Sequence, residues 1–418
     1  MPEMLLPNDE PKSSPLSDLI PTVAGNLVSS KGLIERVIEE FDAEFDDDRV
    51  TSATEVEKRT MVRDVAKYVF AVEGLLFPIE EQAKIIQKVY AEVVDFGGLD
   101  ALFADPTITT IVIDGADKVA IRYAPGSDLV QSDAVFESNQ HLRRIMNRLV
   151  KRAGAEFLEE IPILELGLDV GERHLCANIV TPPFVTQLRA DIRLHSPHVP
   201  TLGELRESGY LNDVGEKMLA AIAASPYGFV ILGDTESGKT TLLNSMALLL
   251  NEAKIVAVER TGDMRLPETV GRYSVQWQTS ELAGISLHER VTQALENQPT
   301  CLLLDEVRAD DPQAIVPLLQ DGAPRQCWSF RGSAESKRIR AALRILFQLG
   351  FGAETEHALT RFYEQLPFVI MVKRRKGKIQ LLEIAEWQPN GDTFDYVPLI
   401  DMGWDGCELT GKAAVHVL

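Results

Sequence analysis

One segment constrains this chain more than any other: GFVILGDTESGKTTLLNSMALLL, residues 228–250. A short apolar run ends at Gly233. The next residues, Asp234, Thr235, Glu236, Ser237, Gly238, Lys239 and Thr240, complete the pattern G-x-x-x-x-G-K-[ST], with Thr241 opening a helical stretch. A strand, a tight glycine loop and a helix in this order turn successive backbone N–H groups inward, and the helix N-terminus adds partial positive charge. Residues 233–241 are therefore expected to hold a nucleotide, with ATP and Mg²⁺ as cofactors. Lys239 would reach the β- and γ-phosphates, and the Thr240 hydroxyl would be a Mg²⁺ ligand. Glu236 is out of keeping with this use. Like charges a few ångströms apart repel by a few kcal/mol unless the carboxylate faces water.

The surroundings agree with an α/β fold. GFVILG, KIVAVE, TCLLLDE and CWSFRG read as buried strands, separated by helical stretches that include ISLHERVTQALEN and DDPQAIVPLLQDG. That alternation predicts a parallel, three-layer domain. Upstream, VRDVAKYVFAVEGLLF, EEQAKIIQKVYAEVVDF and HLRRIMNRLVKRAG have helical spacing. TITTIVIDG and KVAIRY suggest a hairpin, and ERHLCANIV and VTQLRADIRLH suggest further strands. The expected organisation is an acidic leader over 1–60, an α+β domain over 61–195, a Pro-marked linker at 196–202 and a P-loop domain over 203–418. The leader is expected to be partly disordered or helical. Within it, Gly32–Phe45 places Leu33, Val37, Ile38 and Phe41 on one helical face.

Acidic residues at strand ends supply the other candidates. CLLLDE ends in Asp305 and Glu306. In P-loop enzymes the first acid of such a strand holds Mg²⁺, usually through water, and a following Glu polarises the attacking water. Strand alternation would put the two side chains on opposite faces, so that one aims at the nucleotide. Glu259 closes KIVAVE at the same edge, where ligands of open α/β sheets sit, and Asp263 follows in the next turn.

Taken together, these segments resemble the type II/IV secretion superfamily of hexameric ATPases over residues 90–400. Within it they look like the tight-adherence (Tad/Flp) pilus assembly branch. The carrying segments are LFADPTITTIVIDGADKVAIR, GERHLCANIVTPP, RADIRLHSPHVPTLGEL, GDTESGKTTLLN, VERTGDMRL and LLLDEVRADDPQA. The resemblance implies a RecA-like P-loop ATPase core with a smaller α+β N-terminal domain. It also implies ATP hydrolysis that powers pilus assembly or secretion, a homohexamer with shared sites, and an inner-membrane platform protein as partner. Placement would be cytoplasmic, at the inner face of the membrane. Glu306 or Glu259 would position the attacking water, and Arg193 or Arg308 would stabilise γ-phosphate charge.

The departures from the family pattern are specific. Glu259-Arg260 stands for Glu-Asp, Asp305-Glu306 for Gly-Glu, and Glu236 for Gly. Ala323 and Arg331 fall where the family has relay histidines. They imply an alternative: a paralogue that binds nucleotide, hydrolyses little and acts as a structural or regulatory subunit.

Composition excludes other classes. Asp and Glu number 63 against 42 Lys and Arg, for a net charge of −21. A surface so acidic is unsuited to wrapping nucleic acid or an anionic membrane. The four cysteines form no CxxC pair, which argues against a zinc ribbon or a disulfide framework. His174, His195 and His198 have no Cys or acidic partner at ligand spacing, so no metal site is expected there. The basic run Lys373–Lys378 reads as a solvated hairpin tip. The start, MPEMLLPNDEPK, lacks a signal-peptide pattern. Apolar stretches such as Phe368–Val372 fall far short of the roughly 20 residues that span a bilayer, so a membrane role would run through a partner.

Overall fold

Helical spacing in the acidic N-terminal part produces helices. A computed structural model describes residues 19–23, 27–124, 127–133, 136–157, 162–266, 271–274, 286–375, 377–402 and 407–416. They fall into two units: Met1–Ala104 with Ala134–Arg152, and Asp105–Asp133 with Ala153–Leu418.

In the first unit, short strands β1 (Leu19–Pro21) and β2 (Leu27–Ser29) precede α1 (Ser30–Glu44). Ser29 caps α1 by accepting from the Gly32 N–H. Then come α2 (Asp47–Ser52), α3 (Glu55–Val72), α4 (Ile79–Val93), α5 (Leu99–Ala104) and α6 (Asn139–Arg152). Thr54 and Glu57 form a reciprocal capping box at the start of α3. Leu33, Val37 and Phe41 of α1 are buried in one cluster with Val62, Val65 and Val69 of α3 and Ile85 and Val89 of α4. Within the expected leader, Ser30–Glu44 is thus a packed helix, the helical branch of the expectation; residues 1–18 lie outside the described residues.

The second unit carries two sheets. The smaller has the order β5-β4-β3-β8-β7-β6 and is antiparallel throughout. Its strands are β3 (Thr110–Asp114), β4 (Val119–Arg122), β5 (Val130–Gln131), β6 (Ile163–Val170), β7 (Arg173–Val180) and β8 (Arg189–His195). Helices α7 (Leu202–Glu207) and α8 (Asp213–Ala224) follow.

Next come β9 (Phe229–Gly233), α9 (Lys239–Ala247), β10 (Ile255–Glu259), β11 (Gly271–Ser274), α10 (Leu287–Glu296), β12 (Cys301–Val307) and β13 (Arg325–Arg331). Helices α11 (Ser336–Phe351) and α12 (Thr355–Gln365) lead to β14 (Phe368–Arg375), β15 (Lys378–Asn390), β16 (Thr393–Met402) and β17 (Cys407–Leu409). The larger sheet has the order β11-β10-β12-β13-β9-β14-β15-β16-β17. It is parallel from β11 to β14 and antiparallel beyond.

Strand β9 is buried along its whole length, as a central parallel strand must be. Ile231, Ala257 and Leu303 face α8 and α9 through Leu219, Leu242 and Met246. Leu232, Val258 and Leu304 face the layer of α10 and α11 through Val291 and Leu343. A parallel sheet between two helical layers, with the glycine loop after a central strand, is the RecA-like P-loop arrangement. The expected helix DDPQAIVPLLQDG forms instead as a 3₁₀ helix, Pro312–Leu319. Pro317 lies inside it and has no N–H for an α-helical bond.

The small sheet groups with the P-loop core rather than with the helices before it, so the units do not follow the expected division at 196–202. Specific contacts explain this. Arg308 makes a two-pronged ion pair with Glu165 of β6, at 2.6 and 2.9 Å. Arg265 reaches Asp169 at 3.1 Å, and His174 Nε2 lies 2.8 Å from the Thr261 carbonyl. Gly167 permits the approach, because a Cβ there would stand 1.6 Å from the Thr261 oxygen. Among the described residues, no helix is long and apolar enough to cross a membrane.

Candidate functional site

The site begins where β9 ends. Gly233 closes the strand, and Gly238 caps α9 with a φ of +89°. A Cβ on Gly238 would meet Ile379 at 2.9 Å and Tyr210 at 3.0 Å, so only glycine fits. Lys239 is buried, its Nζ donates to the Asp234 carbonyl at 2.8 Å, and burial pulls its pKa down. The buried Ser237 Oγ has no hydrogen-bond partner. A glycine cradle, a buried ammonium and an orphaned hydroxyl suit a phosphate chain.

Glu236 sits in the left-handed region, with φ of 58°. Its carbonyl accepts from Arg374 Nη2 at 2.6 Å, and its carboxylate lies 3.6 Å from Arg193 Nε of β8. The side chain is thus turned toward a cation as well as toward solvent, which answers the repulsion the sequence suggests.

The Thr240 hydroxyl donates to Asp305 Oδ2 at 3.0 Å. Asp305 is almost fully buried and also accepts from Ser329 Oγ. Burial first, then the charge of Asp263, push its pKa up to about 8. A hydroxyl paired with a strand-end carboxylate is a hard oxygen donor set that fits Mg²⁺.

Strand alternation fails at the next residue. The β12–β13 register shifts between Leu304 and Val307, and Glu306 adopts φ of 57°. Its N–H donates to Ser329 Oγ at 2.8 Å. This irregularity lets the buried Asp305 reach Thr240, while Glu306 lines the cavity that Thr240 also lines.

That cavity measures about 500 Å³. Residues 235–241 line it together with Arg193, His195, Asp263, Glu306 and Arg374. Two of the expected catalytic residues lie elsewhere. Glu259 is fully buried, and its Oε2 accepts from the Met264 N–H at 2.8 Å, bracing the loop that carries Asp263. Arg308 is held by Glu165 and lies 3.0 Å from Glu306. It orients that carboxylate and does not line the cavity. Arg331 is half-exposed, 3.9 Å from Glu306. Arg374 does not stand out in the sequence, because KRRKGK reads as a solvated tip. The signal was present: a hairpin beside the P-loop strand delivers its basic residues to the loop.

Residues 94–320, more than half of the chain, match the family model described as type II/IV secretion system protein. The chain belongs to the type II/IV secretion system protein family. A "Putative conjugal transfer protein" of Mycobacterium tuberculosis is 25% identical over 308 residues, 72% of this chain and 86% of that protein. The type IV secretion system protein VirB11 of Brucella suis is 22% identical over 272 residues, 58% of this chain and 74% of that protein. Among solved structures, the ATPase DotB of Legionella pneumophila is 16% identical, with a TM-score of 0.48. It covers 69% of this chain and 78% of its own. In this chain the phosphate-loop residues and Glu306 line the cavity together with Arg193 and Arg374.

Proposed function

We propose that this protein binds and hydrolyses ATP, and that it powers assembly of a Tad/Flp-like pilus or type II/IV secretion. The carrying observation is the convergence on one cavity of Lys239, the Thr240–Asp305 pair, Glu306 and Arg193. ATP would supply the phosphoryl group, and Mg²⁺ on Thr240 and Asp305 would neutralise charge on it. Residues 233–241 bind the phosphates through backbone N–H groups and Lys239. Glu306, held by Arg308 and Arg331, orients a water and takes up its proton. Arg193 turns from Glu236 to the developing phosphate charge. The small sheet, pinned to the core through Glu165 and Asp169, excludes water and carries Arg193.

The family resemblance supports a homohexamer working against an inner-membrane platform protein from the cytoplasmic face. Glu236, Ala323 and Arg331 favour the second reading, a slow or non-hydrolysing paralogue that serves a structural role. Phosphate release by the purified protein, with Lys239→Ala as the blank, separates the two. Turnover above that blank supports the motor. Binding without turnover supports the paralogue.

A further inference from the structure

We propose that Cys176, His195 and Asp263 form a binding site for a divalent transition-metal ion, Zn²⁺ foremost, beside the nucleotide cavity. The donor atoms of these three residues, the Cys176 Sγ, a ring nitrogen of His195 and a carboxylate oxygen of Asp263, lie within 4.8 Å of one another. The sequence shows no such partner at ligand spacing for these histidines. The partners are distant in sequence and are gathered by topology.

The β7–β8 register pairs Cys176 with Arg193 and His174 with His195, so Cys176 and His195 are diagonal neighbours on one face of the small sheet. Asp263 arrives from the loop after β10. That loop is fixed beside the sheet at Thr261, whose carbonyl meets His174 and whose hydroxyl donates to Asp263 Oδ1 at 3.3 Å. Bare Gly167 leaves room for it.

The second observation concerns His195 itself. Its Nε2 is shielded from solvent and has no hydrogen-bond partner. Leaving a buried polar group unpaired is unfavourable, and a metal ligand bond would remove that cost. His174, by contrast, is engaged at both nitrogens, by Asp169 and by Thr261, and is not free to ligate. It serves to orient the loop.

The donor chemistry selects the ion. A thiolate and an imidazole with a carboxylate are borderline-soft ligands that suit Zn²⁺ and disfavour Mg²⁺ and Ca²⁺. Two anionic donors balance the ion's double charge. Ligands of one tetrahedral zinc stand about 3.5 Å apart for bonds of 2.0–2.3 Å, so small side-chain rotations close the site. His195 and Asp263 also line the cavity, which leaves the fourth position open to water. Occupancy would tie β8, the strand of Arg193, to the acidic loop of the core.

The test uses the full chain, stripped of metal by a chelator and titrated with Co²⁺ and with Zn²⁺ in excess Mg²⁺ without nucleotide. One equivalent should bind, and Co²⁺ should give tetrahedral visible bands with a thiolate charge-transfer band in the near ultraviolet. Cys176→Ser should abolish the charge-transfer band. His195→Ala should weaken Zn²⁺ binding by about tenfold or more, the equivalent of 1.4 kcal/mol. Asp305→Asn should leave both intact, which separates this site from the Thr240–Asp305 pair and from the proposed ATPase. Circular dichroism checks each variant, and Cys176→Ala with His195→Gln replace any that fail to fold. Absence of binding by the wild-type chain would overturn the proposal. So would a thiolate band that survives in Cys176→Ser, or loss of binding in Asp305→Asn.

Discussion

Replacing Glu236 by Gln should tighten binding of a triphosphate. Its carboxylate and Arg193 Nε are 3.6 Å apart, with the side chains 24% and 41% exposed. Unscreened, such a pair at an effective dielectric near 20 would be worth roughly 4–5 kcal/mol. Pairs this exposed measure about 0–1 kcal/mol, so the lower figure applies. The substitution removes a negative charge from the phosphate loop and releases Arg193 toward the γ-phosphate. A net gain of about 1 kcal/mol corresponds to roughly fivefold tighter binding.

Glu236→Gly is the companion. It also relieves a left-handed backbone that costs a non-glycine residue about 1–2 kcal/mol, but it loosens the unfolded chain by about 0.4–1 kcal/mol. Its folding stability should therefore move by less than about 1 kcal/mol, while its affinity follows that of Glu236→Gln. Calorimetry with a non-hydrolysable ATP analogue and with ADP reads both. The gain should be larger for the triphosphate. Equal or weaker triphosphate binding by Glu236→Gln would refute the reasoning.

Further outcomes follow from the same geometry. Lys239→Ala removes the buried cation of the loop and should lower nucleotide affinity by more than tenfold, since a charged hydrogen bond is worth about 1.5–3 kcal/mol; calorimetry checks it. Glu306→Gln should keep affinity within a few fold and slow phosphate release by roughly tenfold or more, because an amide is a poor proton acceptor. Glu259→Gln should instead lower the melting temperature, as it weakens the hydrogen bond to Met264. Asp305 has its pKa raised from 3.8 to about 8, so the folded state holds the extra proton between those values. Stability of the metal-free protein should then fall as pH rises through that window, and Asp305→Asn should flatten the decline in thermal melts. If the site is shared between subunits, light scattering should show Mg-ATP strengthening a ring, since a bridging ligand stabilises the assembled form.

The P-loop was legible because its function depends on local spacing. Residues 233–241 are contiguous, running from the end of β9 through the loop into α9, and the strand before and the helix after are written in apolar pattern. Strands β10, β12 and β13 were legible for the same reason: buried parallel strands leave continuous apolar runs. The acidic pair reads as part of a regular strand and is not. Nothing in CLLLDE marks the register shift that turns Glu306, because the shift arises from pairing with β13, through the Ser329 hydroxyl. Arg374 and the Cys176–His195–Asp263 group were hidden by distance along the chain. Their meeting depends on which strands become neighbours, which period and composition do not encode. The grouping of the small sheet with the core was hidden too, because it rests on side-chain pairs such as Arg308–Glu165.

The backbone at Glu236 and Glu306 ties these points together. Among the described residues, the non-glycine residues with positive φ are Glu236, Gln298 and Glu306. Two of these three line the cavity, which is where strained backbone tends to be kept for function. Both are carboxylates, and both are held by arginines: Glu236 by Arg193, Glu306 by Arg308 and Arg331. Asp263 adds negative charge at the same edge, and together with burial that charge raises the pKa of Asp305. A bare phosphate chain would therefore meet an edge already rich in carboxylates, with much of the arginine charge engaged. Lys239 adds a cation within the loop, although burial pulls its pKa down. Under the proposed function, the site would become hospitable to polyphosphate once a divalent cation sat on Thr240 and Asp305 and Arg193 exchanged Glu236 for phosphate. Metal, nucleotide and the small sheet that carries Arg193 would thereby be coupled through the same few charges, as the proposed nucleotide-driven motor requires.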